Sequence, residues 1–389
     1  MKRFFGISFT RRLTGLAGLF MIVGQLAGPA RAGYVVTNLV SDIPGLAANT
    51  DPNLVNPWGI TASPTSPFWI SNNGSGVSTL YTNSGGAVPL VVTVPAAPGG
   101  TPPGSPTGIV FNGGSGFDVA GGAPARFIFA TEDGTIAGWN PGANLHNAIR
   151  EVAIPNAVYK GLAIGNNGSS DHLYATNFRT GGIDVFDSKF AHVNLSGTFT
   201  DPILPAGFAP FGIQNIGNTL FVTYALQNAE KHDDVGGAGN GFVDEFDLNG
   251  NFLKRLVSNG ALDSPWGLAL APNHFGQFSN DLLVGNLRDG LIHAFDPNSG
   301  ALLGTLSDNQ GQPIANVGLW GLFFRNTSGG SSPDSTLFFT AGIGDGGPTE
   351  SHGLFGSISV PEPGSLMLLG LGVLVLGGRR AISRFCKRQ

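Results

Sequence analysis

Cysteine and charge are both scarce in this chain. Of 389 residues one is cysteine, Cys386 near the C-terminus, so neither an intramolecular disulfide nor a cysteine-based zinc site can form. Lys, Arg, Asp and Glu together supply only 12% of residues and leave a formal net charge of −5. Nucleic-acid binding needs clustered Lys and Arg against phosphates, and the body of the chain has no such run. No G-x-S-x-G elbow, H-E-x-x-H pair or phosphate-binding loop occurs, which removes the commonest hydrolase, metalloprotease and nucleotidase signatures. Long apolar runs are missing too: the two that exist, Leu13–Ala27 and Ser365–Gly378, fall short of the roughly 20 residues that span a bilayer comfortably.

Glycine, proline and phenylalanine are abundant, at 61, 26 and 28 residues. That balance favours many short strands joined by tight turns and disfavours long helices.

The two ends read as addresses. Lys2, Arg3, Arg11 and Arg12, then the apolar run, then Ala30-Arg31-Ala32, form a secretory signal peptide over residues 1–32 with cleavage expected after Ala32. Arg11-Arg12 fits a twin-arginine signal poorly because of its flanks, so the general export route is expected. At the other end, Pro361-Glu362-Pro363 precedes the short apolar segment and then Arg379, Arg380, Arg384, Lys387 and Arg388. This three-part pattern resembles the PEP-CTERM sorting signal of Gram-negative bacteria. The resemblance implies recognition by an exosortase-type membrane protease, transient anchoring of residues 361–389 through a short apolar helix, and a role near exopolysaccharide or biofilm matrix. An ordinary C-terminal membrane anchor with cytoplasmic basic residues would share the last two parts of the pattern.

Between the addresses, residues 33–360 repeat. Trp58-Gly59-Ile60, Thr107-Gly108-Ile109, Lys160-Gly161-Leu162, Phe211-Gly212-Ile213, Trp266-Gly267-Leu268 and Trp320-Gly321-Leu322 recur at a period near 50 residues. Such a period with strand-like content means the blades of a β-propeller. After each glycine a second and a third strand follow; Ile183–Asp187, Val243–Asp247 and Ile292–Asp296 are one alternating element seen three times. A fourth strand is expected at Pro89–Val94, Ile149–Ile154, Asn194–Thr200, Phe252–Val257 and Leu302–Leu306, and the sixth unit has none. The unpaired N-terminal segment Tyr34–Val40 should fill that place and cover a sheet edge. The expected fold is therefore all-β: six blades of four strands, the last closed by the N-terminal strand.

This layout resembles NHL-type and SMP-30-type propellers. The stretches Asp51–Gly59 and Lys231–Val235 further resemble a propeller family that carries the PEP-CTERM signal. The resemblance implies the fold and the location and supplies no catalytic residues.

Chemistry should sit where loops crowd one mouth of the central channel. The residues before the repeat glycines, Trp58, Thr107, Lys160, Phe211, Trp266 and Trp320, form a candidate ring there. Its aromatics either stack on sugar faces or pack between blades. Lys160, a lone cation in that ring, should point at water or an anion. The longest loop of this face carries Glu230, His232, Asp233 and Asp234, which either bind Ca²⁺ or another divalent ion or form a solvated turn. Other polar groups assigned to the same face are Asn72, Asn73, Glu132, Asp133, Asn177, Arg179, Asn286, Arg288, Asp289, Asp345 and His352. SMP-30-like lactonases and streptogramin lyases build a central metal on such a ring, and Glu132, Asn177, Asn286 and His352 are the residues that would converge here. Two functions follow: a surface or matrix propeller binding a glycan or a protein, or a metal-dependent hydrolase or lyase.

Overall fold

Six β-strands that begin at the repeat motifs run along one axis: Pro57–Thr61, Pro106–Phe111, Tyr159–Asn166, Phe208–Ile216, Pro265–Leu270 and Leu319–Phe324. A computed structural model describes residues 33–120, 122–325, 335–344 and 350–361. The expected signal peptide with Ala32, the expected C-terminal helix with Glu362 and Pro363, and Asp345 lie outside these residues. Each axial strand is the inner edge of its own antiparallel sheet, and the six sheets are the blades of a propeller. Apart from one 3₁₀ turn at Gly276–Phe278, the described residues form no helix.

The sixth blade is completed by the N-terminus. Val35–Ser41 pairs antiparallel with His352–Ser359, Val35 opposite Ser359 and Ser41 opposite Leu354, with a bulge between Asn38 and Val40. Tyr34 just before it donates its hydroxyl to the Phe275 carbonyl (3.0 Å) and packs on Phe275 and Phe278 of the fifth blade. One expected strand is corrected. The fourth strand of the third blade is only His192–Val193, because Asn194–Thr200 leaves its own sheet for the next blade. There Gly197 and Phe199 donate to the carbonyls of Asn249 and Gly250, and Phe199 packs between Tyr174 and Phe246. Burying a phenylalanine between two blades outweighs the edge-strand hydrogen bonds given up.

The cores lie between blades, not within them. One cluster joins Val110, Ile128 and Ile136 to Tyr159, Leu173 and Phe186, and another joins Tyr174 and Val185 to Val222 and Phe246. This is the sheet-on-sheet solution: each strand alternates, so both faces of a blade need a neighbour.

The repeat glycine exists because the six inner strands crowd together. A Cβ on Gly212 would lie 2.1 Å from the Trp266 carbonyl oxygen of the next blade, and one on Gly59 2.5 Å from that of Thr107. The contact runs round the ring and closes from Gly321 to the Trp58 carbonyl. At three positions a buried hydroxyl bridges the crowding. Thr176, Thr223 and Thr340 accept the amides of Gly161, Gly212 and Gly321 (2.7, 2.8 and 2.9 Å), each at a bulge in its sheet. We predict that Gly212→Ala costs about 2–3 kcal/mol or more by overpacking. Gly182→Ala, whose Cβ would meet nothing closer than Thr180 Oγ1 at 3.7 Å, should cost under about 0.5 kcal/mol. Denaturant midpoints of the two variants check this, and equal losses would refute the ring as the constraint.

A charged bowl over an aromatic plug

One residue before each glycine, a side chain leaves the axial strand toward the same mouth of the channel, so all six candidate ring residues arrive at one level. The structure brings five of them together and ties Thr107 to neighbouring backbone carbonyls instead. Trp58 and Trp320 stack at 3.5 Å between centroids, 17° apart, and Trp266 stands edge-on to both at 6.3 and 5.7 Å. Phe211 adds to Trp320 at 5.8 Å and to Phe178 at 5.2 Å. Thr107 Oγ1 donates to the Tyr159 carbonyl (2.8 Å), Trp266 Nε1 to the Lys160 carbonyl (3.0 Å) and Trp320 Nε1 to Asn56 Oδ1 (3.2 Å). Trp58, Phe211 and Trp320 are at most 2% exposed. The faces of Trp58 and Trp320 are thus occupied by each other, and the ring closes the channel as a plug.

Lys160 is the exception in chemistry but not in burial, at 2% exposure. Its ammonium lies over the Trp58 and Phe178 rings, 5.1 and 5.8 Å from their centroids. It pairs with Glu132 and lies 3.4 Å from Asp233. A buried cation needs such partners, since desolvating it alone costs several kcal/mol. Glu132 follows the second strand of the second blade (Phe127–Thr131) and also accepts from Asn73 Nδ2 at 2.8 Å. Asp233 comes from the long loop of the fourth blade. There Asn228 shapes the turn, its side chain accepting the amides of His232 and Asp233 at 3.0 and 3.2 Å.

His232 Nδ1 lies 2.9 Å from Asp233 Oδ1. That hydrogen bond, followed by the nearby Lys160 charge, holds the Asp233 carboxyl down at about 2, and the same bond raises His232. Asp234 turns the other way and binds Arg288 of the fifth blade in bidentate fashion (2.7 and 2.6 Å). Glu350, just before the last strand of the sixth blade, completes the wall. Burial, reinforced by Glu132, pushes its carboxyl up to about 7 against the pull of Lys160 and Arg288. Together Trp58, Lys160, Asp233, Asp234, Arg288, Trp320 and Glu350 enclose a cavity of about 240 Å³.

Of the four loop residues taken as metal ligands, the structure gathers His232 and Asp233, sends Asp234 to Arg288 and leaves Glu230 exposed. The donor atoms that do cluster, within 4.8 Å of one another, belong to Glu132, His232 and Asp233. The donor set suits a divalent ion poorly, because the Lys160 ammonium already bridges the two carboxylates and would repel a second cation. Of the four residues that could converge on a central metal, Glu132 alone belongs to that donor cluster. Asn177 donates to Asp184 (3.0 Å), Asn286 to the Ala261 carbonyl (2.8 Å), and His352 pairs with Asp42 (2.6 Å), each within or beside its own blade. Those polar groups satisfy buried turns, a need sequence spacing does not reveal. Glu350 and Phe178 were not picked out by the sequence. Glu350 follows a Gly-Pro stretch without period, and Phe178 reads as an ordinary strand end.

A raised carboxyl favours its protonated form in the folded chain, so Glu350 lowers stability progressively as pH rises from about 4.5 to 7 and leaves the full cost above that. Glu350→Gln should therefore match the parent chain at pH 5 and exceed it at pH 8 by on the order of 2 kcal/mol. Thermal midpoints of both proteins at the two pH values check this; an unchanged difference would show Glu350 to be solvated.

Residues 359–381 match the PEP-CTERM protein-sorting motif. The motif marks the chain for export and cell-surface sorting and implies processing by an exosortase-type system. The fold is shared with a solved glucose dehydrogenase at a TM-score of 0.51 and 14% identity, covering 83% of this chain and 98% of that one. At that identity the likeness concerns the fold alone. In sequence, the chain is 33% identical over 345 residues to the Acanthamoeba polyphaga mimivirus "Uncharacterized protein L690", covering 85% of this chain and 87% of the relative. It is also 33% identical over 358 residues to "Uncharacterized protein R648" of the same virus, covering 88% and 85%. With most of both chains aligned at that identity, this propeller belongs to the same family as L690 and R648.

Proposed function

We propose that this is an exported, surface-associated propeller, held transiently at the membrane by its C-terminal segment. It acts by binding a saccharide of the extracellular matrix at the charged mouth, without catalysing a reaction on it. The observation that carries the reading is the bowl itself. A rigid six-bladed frame presents a concave pocket with an aromatic floor and a wall of carboxylates, an ammonium and a guanidinium, both cations paired with carboxylates before any ligand arrives. Preorganised polar groups around an apolar floor suit a hydroxyl-rich ring, whose C–H and O–H surfaces need both. The sorting motif supports an address in the matrix, and the opposite mouth offers less polar chemistry. Its cavity of about 610 Å³ has Leu268, Leu270, Ile216, Leu322 and Phe323 in its wall, with Arg325 as its one charged residue among the described residues.

Retardation of the mature chain in affinity electrophoresis through gels containing extracellular polysaccharides tests the reading. We expect retardation that Glu350→Ala weakens at least several-fold, and mobility unaffected by every polymer would sink it.

A metal-dependent hydrolase or lyase is the competing reading, supported by the proximity of Glu132, His232 and Asp233. Here Lys160 decides. Elemental analysis after dialysis against Ca²⁺, Mn²⁺ or Zn²⁺ should find no stoichiometric ion in the parent chain, whereas Lys160→Met, which frees both carboxylates, should gain affinity. A stoichiometric ion with Lys160 intact would favour the enzyme.

A further inference from the structure

The three indoles of the plug are not equivalent. Trp266 and Trp320 each give their N–H to an acceptor, but the N–H of Trp58 has none among the described residues, although the residue is only 2% exposed. Trp58 is also one of the residues that wall the bowl. A buried N–H without an acceptor costs about 1–3 kcal/mol, so an acceptor that reached it from the bowl, with a small shift of the side chains that cover it, would remove a standing penalty.

The rest of the wall restricts what that acceptor belongs to. Lys160 and Arg288 oppose a cationic ligand, while Asp233, Asp234 and Glu350 oppose an anionic one. Both cations are already held by carboxylates, so an added anion finds no free partner. Glu350 is in no ion pair, but its burial favours the protonated form and Lys160 and Arg288 stand close to it, which disfavours an added cation. A hydroxyl both accepts and donates, and can satisfy an indole N–H and a carboxylate together. The cavity of about 240 Å³ lies below the range of drug-sized pockets and admits one ring.

We propose that the bowl holds a single uncharged sugar ring, with one hydroxyl oxygen accepting the N–H of Trp58 and other hydroxyls donating to Asp233 and Glu350. The inference rests on the saccharide-binding reading above and adds to it the charge class of the ring and the residue that recognises it.

Titration calorimetry of the mature chain with methyl glucoside, methyl galactoside and methyl mannoside, set against glucuronate and glucosamine, tests the assignment. At least one neutral glycoside should bind about tenfold or more tightly than either charged sugar. Trp58→Phe keeps a smaller aromatic ring in the plug and removes the donor, so it should weaken that glycoside about fivefold or more, the worth of at least one hydrogen bond. Glu350→Gln, which leaves the plug untouched, should weaken it as well and covers the case in which Trp58→Phe disturbs folding. Preference for a charged sugar, or glycoside binding unchanged in both variants, would overturn the proposal. If polysaccharides still retard the chain, the binding function survives without this assignment. If polysaccharides and glycosides both fail, the two fall together.

Discussion

Six backbones meeting at one axis is the constraint from which the rest of this molecule follows. At the level of the repeat glycines each inner strand touches the backbone of the next, so that a single Cβ would collide with a neighbouring carbonyl. Side chains are therefore expelled from that level and must leave just above or just below it. Above it they are Trp58, Thr107, Lys160, Phe211, Trp266 and Trp320; below it, Ile60, Ile109, Leu162, Ile213, Leu268 and Leu322. The glycine ring thus creates the plug on one side and an aliphatic tube on the other, and it separates a charged mouth from a largely apolar one.

The plug makes Lys160 consequential. A lysine at that level cannot snorkel to water past four aromatics, so its charge has to be met where it lies. Glu132 and Asp233 meet it from the second and fourth blades, and Asp234 and Arg288 tie the same loop to the fifth. Backbone hydrogen bonds from Asn228 to Asp233 and from Val235 to Leu226 shape the long loop, and the Lys160 and Arg288 pairs add to them where it walls the bowl. Oppositely charged groups held close in low dielectric are also poorly placed to recruit a metal, which is why the acidic composition of the loop is a poor guide to its chemistry.

Much of this was legible in the chain. Period, turn residues and alternation are local, so blade number, most strand positions and the closing strand, read as Tyr34–Val40 and found at Val35–Ser41, were within reach of the sequence. The third blade's fourth strand was misplaced because the pull on Phe199 comes from a neighbouring blade about 50 residues on, outside any local pattern. The site was half legible. The ring positions came from the repeat and His232 and Asp233 from a conspicuous loop, while Glu350 carries no periodic signal and joins the bowl only through closure of the ring of blades.

The sequence by itself determined the sorting motif at the C-terminal end, the six-fold repeat and the residue types facing the axis, because each depends on local spacing or composition. Tertiary structure alone decided that the aromatics spend their faces on one another, that Lys160 is a buried cation between Glu132 and Asp233, and that Trp58 is the indole without an acceptor among the described residues. Those outcomes depend on distances between residues 28 to 262 positions apart in the chain, which only the closed ring sets.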